Sequence, residues 1–207
     1  MFNSADASAP GHYSPSQTAL LLLDFHDLFV EKLGGPNAAR ALEAAASLQG
    51  WAQSRGIQVI HALIDIHDTP VKTCKDGERV AQILGAMRAG GGGEPSVLLG
   101  HAEDMTFTRK AGHVSALKSP GLEDVLQKKG IKSLILTGLS TSGCVLQTAL
   151  NAGDSEFVVS VISDGCADSD QDLHKSLLDG VLGKRGYVAS STEFKDSYER
   201  AQGKASS

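Results

Sequence analysis

Ser133-Leu-Ile-Leu-Thr-Gly-Leu-Ser-Thr-Ser-Gly-Cys-Val-Leu-Gln-Thr-Ala-Leu150 reads as strand, tight turn and helix in succession. Residues 134–136 are continuously apolar, as a strand buried on both faces requires. Gly138 to Gly143 carry turn chemistry, and a helical pattern begins at Val145. Cys144 is thereby placed at the first turn of a helix, facing unpaired N–H groups and the positive end of the dipole. Both favour thiolate over thiol, which predicts a lowered pKa and a nucleophile at neutral pH. Free cysteines more often simply pack; a cysteine opening a helix after a Gly/Ser/Thr turn favours the reactive reading.

Working outward, residues 18–25 read as a first buried strand, and residues 36–55 as an alanine- and leucine-rich helix stopped by Gly56. Residues 57–64 form a second strand. A long irregular stretch follows, including the glycine run at 90–93, which has no Walker spacing. Residues 105–109 make a short third strand, and 120–129 a helix with Pro near its start and Gly130 past its end. Strands at 131–137 and 156–162 flank the helix at 144–151; a helix at 171–182 and a short strand at 187–190 complete the pattern. Alternating strands and helices with apolar strands call for an α/β fold, a three-layer αβα sandwich around a mostly parallel, doubly wound sheet. The expected organisation is a flexible arm at 1–17, one domain at 18–195 and a tail at 196–207.

The chain has 207 residues, 41% of them hydrophobic, and a net charge of −5 from 19 basic and 24 acidic residues, which suits one globular domain. No basic run stands out, so nucleic acid is not an expected partner. Apolar runs are too short for a membrane span, and the small, polar residues 1–18 argue against a signal peptide. Cys74, Cys144 and Cys166 are too scattered for a disulfide framework or zinc cluster, which points to a reducing cytoplasm.

In open α/β sheets ligands bind at the carboxyl ends of strands. Asp24 ends the first strand, Lys110 follows the third, and Cys144 lies beyond the turn after the fourth. A thiolate to attack a carbonyl, a cation to stabilise it and a carboxylate to carry the proton make one chemical set.

Three motifs carry a family resemblance: Asp24-Phe-His-Asp-Leu-Phe29, Lys110 with Ala116 and Leu117 downstream, and Thr137-Gly-Leu-Ser-Thr-Ser-Gly-Cys-Val145 followed by Thr148-Ala149. Over about residues 18–192 the chain resembles the isochorismatase-like cysteine hydrolases, whose members include nicotinamidases and N-carbamoylsarcosine amidases. The resemblance implies a Rossmann-like sheet and a triad of Asp24, Lys110 and Cys144. It also implies a cis peptide at Leu139–Ser140, with the backbone N–H groups of Ser140 and Cys144 as the oxyanion hole. A homo-oligomer, dimer or tetramer, is implied as well. His26, Phe29 and Thr141 are the candidate substrate contacts, and the expected pocket walls are Phe25 or Phe29, His26 and parts of residues 69–100. Two departures stand out: His26 replaces the family Gln, and His113-Val114 replaces an aromatic after the lysine.

Asp65-Ile-His67 sits where nicotinamidases carry a metal-binding Asp-x-His pair. The Trp between and the Pro after are missing, and His101 is a poor third ligand, so no metal and no cofactor is expected. Cys166 and Trp51 read as structural, Cys74 as exposed, and His61 as a satisfied sheet histidine. The expected activity is hydrolysis of a small amide, lactam or carbamoyl compound through a thioester. The rivals are vinyl-ether hydrolysis of isochorismate and a non-catalytic binding protein on the same fold.

Overall fold

The computed structural model describes residues 2–205. Its centre is β1 (Thr18–Leu23), buried along its whole length. It pairs in parallel with β2 (Gln58–Asp65) on one side and β4 (Ser133–Leu139) on the other. β3 (Met105–Lys110) joins outside β2, while β5 (Val158–Ala167) and β6 (Tyr187–Ala189) extend the other wing. The order is β3-β2-β1-β4-β5-β6, every neighbouring pair parallel. The winding direction reverses between β1 and β4, and such a switch point opens a crevice at the carboxyl ends of those strands.

Side-chain alternation along β1 divides the core. Leu20 and Leu22 face α1 (Ala38–Ser54), which presents Ala38, Ala41, Ala45, Leu48 and Ala52 at helical spacing. Leu21 and Leu23 face the opposite layer, where α3 (Leu122–Lys128) and α4 (Leu146–Asp154) contribute Leu122, Leu126, Ala149 and Ala152. α2 (Gly77–Ala86) lies within the stretch expected to be irregular. Val80, Ile83, Leu84 and Met87 recur at 3.6-residue spacing and pack with Leu28 and Ala111. α5 (Gln171–Gly180) follows β5.

Both ends of the domain differ from expectation. Residues 196–205 are not a tail but most of α6 (Ser191–Ala205), which buries Phe194, Tyr198 and Ala201. Residues 2–17 are held against it. The Tyr198 hydroxyl donates to the Tyr13 carbonyl at 2.9 Å, and the Gln202 amide donates to the Gly11 and Tyr13 carbonyls, both at 3.0 Å. Phe2 stacks edge-on against Tyr187 and Phe194. Sparse apolar residues at a helical period bury a whole helix face here. Among the described residues no helix is long and apolar enough to cross a membrane.

His61, on β2, joins two carboxylates. Its Nδ1 lies 2.7 Å from Glu94 and its Nε2 3.4 Å from Asp104, with all three side chains nearly sealed from solvent. Burial alone would lower the His61 pKa, but the two carboxylates outweigh it and raise the pKa above the ordinary 6.5. The folded state therefore holds a proton that the unfolded chain releases. This stability is complete below pH 6.5 and is lost as pH rises through the raised value. Thermal melts from acid to mildly alkaline pH should show Tm falling across that window, and His61→Gln should flatten the fall. An unchanged slope in the variant would place the titration elsewhere.

Candidate active site

The chain turns sharply as it leaves β1. Asp24 takes φ of 53°, a left-handed conformation that aspartate tolerates better than most residues, while its N–H still donates to the Ala62 carbonyl at 3.0 Å. Alongside, β4 passes so close that a Cβ on Gly138 would meet the Leu23 carbonyl oxygen at 2.4 Å. Only glycine allows β1 and β4 to deliver their following residues to one place. After β4 the Leu139–Ser140 peptide is cis, and a π-helical turn (Thr141–Val145) leads into α4.

Asp24 and Cys144 meet there, and the cation between them is Arg109. Its two terminal nitrogens donate to the two Asp24 oxygens at 2.9 and 2.6 Å, and its Nε donates to the His113 carbonyl at 2.9 Å. Both side chains are almost fully enclosed, at 2% and 4% exposure. The Cys144 thiol donates to the Leu139 carbonyl at 3.8 Å and feels the charges of both the Asp24 carboxylate and the Arg109 guanidinium beside it.

Lys110 is not in this cluster. Successive residues of a strand point to opposite faces, and Arg109 pairs with Ile64 while Lys110 pairs with Asp65. The Lys110 ammonium instead lies 3.2 Å from Asp68, partly exposed on the other face of the sheet. The cation of the site is thus displaced by one residue from the sequence expectation, and it is a guanidinium rather than an ammonium.

The electrostatics also correct the expected lowered Cys144 pKa. Complete burial pushes the thiol pKa well up and the Asp24 carboxylate pushes it further, while Arg109 pulls against both. Burial and Asp24 together favour the thiol over the thiolate. Cys166, equally buried, is pushed up to about 12, burial again leading.

A cavity of about 560 Å³ opens onto the cluster. Phe29, Ile64, Val80, Ile83 and Leu84 form much of its apolar wall, so the helix that the sequence reading missed supplies one side of the site. Cys74, expected in an exposed loop, lines this cavity half-buried. Asp168 also borders it, at the end of β5. Its carboxylate tends upward through burial but is held below its usual range by the N–H groups of Ser142 and Asp170, at 2.7 and 3.3 Å, and by the Ser142 side chain.

Of the three candidate substrate contacts, Phe29 lines the cavity while His26 and Thr141 do not. Phe25 is buried in the core. Thr141 is fully buried; its hydroxyl lies 3.2 Å from the Ala167 carbonyl and 2.8 Å from His174 Nδ1. His26 bridges backbone on two sides: Nδ1–H donates to the Gly92 carbonyl at 2.8 Å, and Nε2 accepts the Ile64 N–H at 3.2 Å. A glutamine carboxamide offers the same donor and acceptor. His26→Gln should therefore retain stability to within about 1 kcal/mol, while His26→Ala should lose about 1–3 kcal/mol by orphaning both backbone groups. Urea denaturation of the two variants checks this.

Asp65 Oδ1 accepts the His67 N–H at 2.9 Å, a local turn bond. Among the described residues no group of three His, Cys, Asp or Glu side chains is arranged to hold a metal ion.

The isochorismatase domain model matches residues 18–193. The chain is an isochorismatase-family hydrolase. It is 27% identical over 177 residues to the maleamate amidohydrolase of Pseudomonas putida, covering 82% of this chain and 81% of that one. It is also 27% identical over 174 residues to a probable inactive nicotinamidase of Arabidopsis thaliana, covering 76% of this chain and 84% of that one. Among solved structures, a cysteine hydrolase from Pseudomonas syringae pv. phaseolicola superposes with a TM-score of 0.74 at 18% identity, covering 91% of this isochorismatase-family chain and 95% of the other.

Proposed function

We propose that this isochorismatase-family protein hydrolyses the C–N bond of a small amide through a thioester on Cys144. The observation that carries the reading is that Cys144 lines one cavity together with a carboxylate and a guanidinium, Asp24 and Arg109, that hold each other in place. The similarity to a maleamate amidohydrolase supports amide chemistry. Three free cysteines, two of them buried, suit a reducing compartment such as the cytoplasm.

In this reading Cys144 begins as a thiol. As its sulfur attacks the carbonyl carbon, the thiol proton passes to Asp24, and Arg109 offsets the charge developing at the reacting centre. The backbone N–H groups of Ser140 and Cys144, both on the cavity wall, are the donors proposed for the oxyanion. Asp24 returns the proton to the departing nitrogen, leaving a thioester and a free amine or ammonia. Water then attacks the thioester, Asp24 takes the water's proton, and the sulfur leaves and is reprotonated. A guanidinium does not release its proton at accessible pH, so Asp24 alone carries protons in both halves.

The Arg109 fork also favours a second reading. Both Asp24 oxygens are already engaged, as in a site that binds a ligand without turning it over. Ammonia release from a panel of small amides, maleamate included, with isochorismate assayed alongside, separates the readings. Release from an amide supports the hydrolase; pyruvate from isochorismate alone supports vinyl-ether chemistry; ligand binding with no product supports the second reading.

A further inference from the structure

We propose that Arg79 sets the substrate class: the cavity takes an amide bearing a carboxylate at the end remote from the scissile carbonyl, and Arg79 binds that carboxylate. The inference rests on the hydrolase reading for where the carbonyl sits.

The charges lining the cavity carry the argument. Asp24 and Arg109 neutralise each other through two hydrogen bonds. Asp168 is satisfied by backbone N–H groups. Two cations remain, Lys32 and Arg79, and neither has a hydrogen-bond or ion-pair partner among the described residues. Arg79 stands on α2 one turn before Ile83, beside the pair Val80 and Leu84, and all four line the cavity. The site therefore presents a nucleophile, an apolar wall, and an unpaired, solvent-exposed guanidinium at the edge of that wall. A guanidinium offers a planar fork that matches a carboxylate with two parallel hydrogen bonds, a geometry the single ammonium of Lys32 does not provide. A neutral amide would leave both cations unused, whereas a carboxylated amide pairs with Arg79 and keeps its hydrocarbon portion against the apolar wall.

The test uses two amides of equal size, succinamate (an anion) and succinamide (neutral), titrated calorimetrically into Cys144→Ala protein at low salt. Succinamate should bind at least about tenfold more tightly, Arg79→Gln should erase the preference, and Arg79→Lys should restore part of it. With Cys144 intact, Arg79→Gln should raise KM for succinamate about tenfold with little change in kcat, the signature of lost ground-state binding, and leave succinamide unaffected. Equal binding of the two amides, a preference that survives Arg79→Gln, or binding of neither overturns the proposal. An Arg79-dependent preference without ammonia release sustains it and removes the hydrolase reading instead. Turnover that favours succinamide leaves the hydrolase standing and removes the role of Arg79.

Discussion

Arg109→Met is expected to destabilise the protein by about 3–5 kcal/mol, the range for stripping one partner from a buried ion pair. The reason is what it leaves behind. Asp24 sits at 4% exposure with both oxygens committed to the guanidinium, and no second described cation is in contact with it. Its charge would then stay buried and unpaired, or its carboxyl would take up a proton and lose the role of base proposed for it. Since small domains are stable by only about 5–15 kcal/mol, the variant should show a marked fall in its urea midpoint. Asp24→Leu combined with Arg109→Met should recover much of the loss, because removing both charges also removes both desolvation costs. Arg109→Lys should fall between, since one ammonium cannot reproduce the fork. A double-mutant cycle in urea measures all of this, and additive losses would show that the pair does not act as a unit.

Cys144→Ala is expected to remove turnover of any amide substrate by roughly three orders of magnitude or more while leaving the fold intact, as loss of a covalent nucleophile does elsewhere. The thiol accounts for a small buried volume, and far-UV circular dichroism should be unchanged. The same residue yields a less intuitive outcome in the free protein. With its pKa raised by burial and by Asp24, Cys144 should alkylate slowly at neutral pH, behind the half-exposed Cys74, as should the equally buried Cys166. Peptide mass spectrometry after a timed iodoacetamide pulse gives the order directly. Fast labelling of Cys144 would mean that Arg109 outweighs burial and that the thiolate already exists at rest.

How far the sequence could be read follows from the same residues. Asp24 and Cys144 were legible because each follows a continuously apolar strand, and parallel sheets deliver the segments after such strands to one edge. Arg109 was not. A strand's two faces differ by a single residue, and at the end of β3 both neighbours are cationic, so the sequence offered no polarity contrast to fix the register. α2 shows an apolar period at Val80, Ile83, Leu84 and Met87, but glycines and lysines on either side gave it the look of a loop. α6 hides for another reason: Phe194, Tyr198 and Ala201 are its buried apolar residues amid charge, and their value lies in a surface formed by β1, α1 and residues 2–17. Cys144's raised pKa was invisible because helix position argues for thiolate, whereas burial and Asp24 act through neighbours far apart in the chain.

The clasp between residues 2–17 and α6 has a consequence for the order in which the protein is made. β1 is translated first among the strands, yet it needs β4, more than half the chain away, to complete its hydrogen bonding. The ring stack of Phe194 and Tyr198 follows all six strands in translation order. A nascent chain leaving the ribosome therefore carries an incompletely paired leucine-rich strand until β4 has followed it. During that interval it is open to strand-edge association, and to the chaperones that prevent it.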